Sequence, residues 1–81
     1  MDDVRNRLIK CFEMVFPDLP QERITTATQR GLAEWDSLAT VTLINVIEDE
    51  FQIEMDLEKL AQLNSFDRVL ETLQTLLGVN R

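Results

Sequence analysis

The sequence predicts an all-α fold: a small four-helix bundle with three main helices, a short third helix and a long loop between helices 1 and 2. Three observations carry that reading. Apolar residues recur at spacings of three and four along separate stretches, the signature of helices that bury one face. The chain holds only two Gly and two Pro, too few punctuating residues for a turn-rich β-fold. No stretch alternates as a strand does, and there is no internal repeat or low-complexity tract. At 81 residues with 44% hydrophobic content, residues 1–81 make one domain around a single modest core.

Val4, Leu8, Cys11, Phe12 and Val15 mark one face of a first helix over residues 3–16. Pro17 and Pro20 end it, because proline lacks the amide N–H and its ring clashes with the preceding turn. Residues 17–35 show no sustained stripe, yet they hold Leu19, Ile24 and Leu32. That content predicts an ordered connection laid across the core, of a length that is uncommon and often functional. A second helix runs from Ser37 to Phe51 with Leu43, Ile44, Ile47 and Phe51 on its buried side. Asp56 caps a short third helix carrying Leu57, Leu60 and Leu63. Asn64 or Ser65 caps a fourth, carrying Phe66, Val69, Leu70, Leu73, Leu76 and Leu77, and Gly78 suits its C-terminal stop.

The formal charge is −7 and the pI about 4.3, a field that repels nucleic acid and anionic membrane and favours basic protein surfaces. With no His and one Cys, the chain cannot assemble a His-containing triad, a Cys/His zinc site or an internal disulfide. The expectation is a protein that is not an enzyme. No apolar run approaches the ~18 residues of a membrane helix, and Met1-Asp2-Asp3 is unlike a signal peptide. The reading is a cytoplasmic monomer.

The candidate site is Asp36-Ser37-Leu38, which opens the second helix and leads into an acidic run. Alone, Asp or Ser before an apolar-periodic stretch is also how any helix is capped. On the exposed side of this helix, Leu38, Thr42, Asn45 and Asp49 fall together, and Val41 and Glu48 lie nearer Ser37. An exposed Leu38 among polar groups marks a docking surface. Glu48, Asp49, Glu50, Glu54, Asp56 and Glu58 form the run, which steers toward basic partners or is simply a solvated surface. It lacks the spacing and the internal Gly of an EF-hand, and no metal site is expected.

Glu34-Trp35-Asp36-Ser37-Leu38-Ala39-Thr40-Val41, followed by Ile47-Glu48-Asp49-Glu50-Phe51, resembles the acyl carrier proteins, and the likeness covers nearly the whole chain. The resemblance implies a stand-alone carrier. Its Ser37 would bear a 4′-phosphopantetheine arm through a phosphodiester, with acyl groups held as thioesters on the arm's thiol. It further implies that a separate Mg²⁺-dependent phosphopantetheinyl transferase modifies Ser37 from coenzyme A. Other partners would be an acyl- or aminoacyl-loading ligase and downstream synthases or transferases with basic patches. Asp36 and Leu38 would flank the attachment point, and Leu38, Thr42, Asn45, Glu48 and Asp49 would meet partners. Ala39 and Thr42 stand where fatty-acid carriers often have carboxylates, which points to a specialised fatty-acid or polyketide-type pathway. The Gly-Gly pair common before the serine of peptidyl carriers is missing. Thr40-Val41-Thr42-Leu43 also looks like D-alanyl carriers, so an aminoacyl carrier stands as the alternative. The alternative of another class is an unmodified acidic helical adaptor.

Other residues read more plainly. Cys11 shares the apolar face of the first helix and is a buried small hydrophobe. Trp35 either contacts the arm or a partner, or anchors the long loop on the core. Ile44, Ile47, Met55, Leu60, Leu63 and Phe66 align with positions that line the acyl pocket of sequestering carriers, and the same residues would be core in any bundle.

Overall fold

A computed structural model describes residues 3–55 and 62–78. Among these residues there are four helices: α1 (Asp3–Val15), α2 (Gln21–Ile24), α3 (Ser37–Phe51) and α4 (Phe66–Leu77). The fold is all-α, and the one β-type pairing among the described residues is an isolated bridge between Thr28 and Ser65.

α1 closes where Pro17 requires: the Phe16 N–H still donates to the Phe12 carbonyl at 2.7 Å, and the next residue has no N–H to give. The bounds of α3 match the sequence expectation, since its cap and its apolar stripe begin together. At α4 the two candidate caps part company. Ser65 is the cap, its hydroxyl accepting from the Arg68 N–H at 3.2 Å. Asn64 instead gives its carbonyl to the Gln29 N–H at 2.8 Å. Gly78 ends the helix at φ 74°, donating its N–H to the Gln74 and Thr75 carbonyls. That left-handed turn is one glycine adopts without strain.

One expectation needs adjustment. The long connection contains α2, a single turn begun by Pro20, whose φ of −65° suits a helix start. Its single buried residue is Ile24, so it is too short to show a periodic stripe. The short helix expected from Asp56, with Leu57 and Leu60, lies outside the described residues; Leu63, at its end, is described and buried.

α1 packs against each of the other three helices. This explains why Ile9 is buried with Leu8, Cys11 and Phe12, although it stands off the predicted stripe. Phe12 is the hub. Its ring meets Trp35 edge-on at 5.3 Å and Phe66 at 5.2 Å, geometries that add about 0.5–1.5 kcal/mol each beyond the area they bury. Leu43, Ile44, Ile47 and Phe51 of α3, and Phe66, Val69 and Leu73 of α4, complete the core. The long loop is stitched to the start of α4: Gln29 bonds Asn64, and the Phe66 N–H donates to the Ala27 carbonyl at 3.0 Å. Leu19 and Leu32 lie against the core and Ile24 is fully buried, as a loop laid across it requires.

Arg7 fastens α1 to the far end of α3. Its Nε pairs with Glu50 Oε2 at 2.9 Å, its Nη2 donates to the Glu50 carbonyl at 2.7 Å, and its guanidinium lies 4.4 Å from the centre of the Phe51 ring. Cys11 is 2% exposed. Burial, and then the Glu50 charge, push its thiol up to about 11 against the opposing pull of Arg7, so it is a protonated, inert packing group at neutral pH.

Candidate functional site

The chain reaches the start of α3 under tight local control. Trp35 is buried, 1% exposed, and its Nε1–H donates to Thr40 Oγ1 at 2.9 Å. The Thr40 hydroxyl donates in turn to the Asp36 carbonyl at 3.0 Å, and the Thr40 N–H reaches the same oxygen at 2.9 Å. Trp35 is thus a core anchor, one of the two readings the sequence left open. Asp36 is the N-cap: its Oδ1 accepts from the Ala39 N–H at 2.8 Å, which satisfies one of the free donors at a helix start.

That assignment decides what Ser37 is not. Ser37 is the first residue of α3 and is exposed. Its hydroxyl makes no hydrogen bond among the described residues, because Asp36 has taken the capping role. The Ser37 and Leu38 N–H groups also have no backbone acceptor among them. Together with the positive end of the helix dipole, they favour an anion held there. An exposed, unengaged primary hydroxyl on a fixed turn fits the attachment of a phosphodiester.

Beyond Ser37, Leu38 is 75% exposed, and Thr42, Asn45 and Asp49 are exposed on the same face. Glu48 is half-buried, its Oε2 accepting from the Met55 N–H at 2.8 Å, a tie the sequence did not signal. The acidic run is therefore uneven. Glu50 is paired with Arg7 and Glu48 holds a backbone amide, whereas Asp56 and Glu58 lie outside the described residues. Among the described residues no group of three His, Cys, Asp or Glu could hold a metal ion. Ile44, Ile47, Met55, Leu63 and Phe66 are buried in the core; Leu60 lies outside the described residues.

Sequence reasoning missed Thr40 as a member of this site. The available signal was its register: it stands three residues before Leu43 and seven before Ile47, on the buried side of α3. A polar residue there needs a partner.

Among the described residues no helix is long and apolar enough to cross a membrane. No match was found among curated proteins or among solved structures. The family model described as the phosphopantetheine attachment site matches residues 17–73, a span that runs from the end of α1 through the whole of α3 and most of α4. A match over so much of the chain makes it a member of that family, the carrier domains of the acyl carrier protein type, in which 4′-phosphopantetheine is covalently bound.

Proposed function

We propose that Ser37 is the attachment residue and that the protein carries acyl intermediates as thioesters between separate enzymes of a fatty-acid or polyketide-type pathway. The observation that carries the reading is the division of labour at the start of α3. Asp36 caps the helix, which leaves the Ser37 hydroxyl exposed and unbonded among the described residues. The arm supplies the thiol on which cargo rides. The chain's own residues present the oxygen, and a partner transferase must bring the base and the Mg²⁺, since this sequence has no histidine.

Leu38, with Thr42, Asn45, Glu48 and Asp49 around it, is the surface on which such partners dock, an apolar contact ringed by polar groups. A cytoplasmic setting fits a chain whose one cysteine is buried and unpaired.

The test is intact mass after incubation with coenzyme A, Mg²⁺ and a broad-specificity phosphopantetheinyl transferase. Wild type gains one phosphopantetheine and Ser37→Ala gains none. Modification of the alanine variant would move the site elsewhere, and an unmodified wild type would leave the acidic adaptor as the better reading.

A further inference from the structure

On the opposite flank of α3 from Ser37, an apolar cleft of about 190 Å³ opens between the end of α1 and the first turn of α3. Val15, Phe16, Leu19, Leu32 and Ala39 contribute its apolar lining, and Asp18 and Glu34 its charge. Both carboxylates are exposed, and neither has a salt-bridge partner among the described residues.

The helical step of 100° per residue decides what the cleft faces. Ser37 and Ala39 point about 200° apart around α3, so an arm on Ser37 leaves on the far side of the helix. Leu38 projects between them, and Thr42 lies between Leu38 and Ala39 one turn further on. The exposed Leu38 and the cleft therefore border one another on the outer surface of the same helical turn. An enzyme that docks on Leu38 to reach the Ser37 hydroxyl comes up against the edge of the cleft.

We infer that the cleft is a second anchor point for the phosphopantetheinyl transferase. It takes one bulky apolar side chain of that enzyme, with a lysine or arginine beside it against Asp18 and Glu34. The inference rests on Ser37 as the attachment residue. Three observations select this occupant: the cleft's size, which suits one large side chain; its two exposed carboxylates, which have no salt-bridge partner among the described residues and attract a cation; and its continuity with Leu38. An apolar anchor in a pocket ringed by polar groups is where binding energy concentrates, and the acidic pair adds steering.

The experiment measures transferase kinetics on the unmodified chain. The variants are Asp18→Lys/Glu34→Lys, which reverses the exposed charges, and Ala39→Leu, which fills the cleft; Glu71→Lys on the exposed side of α4 is the control. Circular dichroism and melting confirm that each variant folds. The expected result is a rise in KM for the carrier of about tenfold for the double reversal and several-fold for Ala39→Leu, with kcat within about twofold and the control unmoved. Unchanged KM in both cleft variants overturns the inference. So does a shift of the Leu32 and Ala39 methyl resonances on loading the arm with no partner present, which would give the cleft to the arm or its cargo. Wild type left unlabelled would instead sink the Ser37 reading, and this one with it.

Discussion

Thr40 is the buried polar residue that ties Trp35 to Asp36, accepting from the indole and donating to the carbonyl one residue before Ser37. Thr40→Val keeps the shape of the side chain and removes both bonds, leaving the Trp35 N–H buried without an acceptor. The expected loss is about 1–3 kcal/mol, read by chemical denaturation. Thr40→Ser, which retains the hydroxyl, should lose clearly less; equal losses would show that the methyl group and not the bond matters. At this scale the sequence was informative where chemistry is local. Asp36 caps because its carboxylate and the Ala39 N–H are three residues apart, a relation visible in one dimension. The Trp35 ring finds Phe12 and Phe66 only when the loop closes, so its role stayed divided until the structure placed it.

The same distinction governs the elements. The start of α3 and the end of α4 were legible because Asp36 and Gly78 specify them within a turn, and the start of α4 was narrowed to Asn64 or Ser65. α2 was not, since one turn with a single apolar anchor has no period to detect. The exit from α3 shows a different limit. Gln52 adopts a left-handed φ of 56°, its N–H donates to the Glu48 carbonyl, and the Glu48 carboxylate reaches forward to the Met55 N–H. Glu48 was read from the sequence as a partner-facing acid, and it has this internal task as well. Glu48→Ala should cost about 1–2 kcal/mol and speed amide exchange at Met55, whereas Glu48→Gln, which keeps an acceptor oxygen, should preserve most of the protection. Unchanged exchange in the alanine variant would mean that the bond does not hold the segment.

For the molecule as a whole, the balance of 15 acidic and eight basic residues sets the response to salt. Screening weakens repulsion among the excess carboxylates and attraction in pairs such as Arg7–Glu50. That pair is exposed and contributes little, so the repulsive part prevails. Raising NaCl from about 0.05 to 0.5 M should lift Tm by roughly 2–5 °C; an indifferent Tm would show that pairing already neutralises the acidic run. The all-α class could be read from periodicity alone, since α1, α3 and α4 each carry an apolar stripe. The stitching of the long loop to α4 through Ala27–Phe66 and Gln29–Asn64 could not. Those bonds join backbone groups far apart in the chain, and no side-chain pattern announces them.

Because Asp36 rather than Ser37 closes the start of α3, an arm attached to Ser37 as proposed would leave the helix's own capping bond untouched. A carrier that cycles between bare, charged and discharged states can then present every enzyme with the same scaffold. On that reading, what distinguishes one state from the next is what hangs from the Ser37 oxygen, and a partner would read the cargo itself rather than the capping of the helix beneath it.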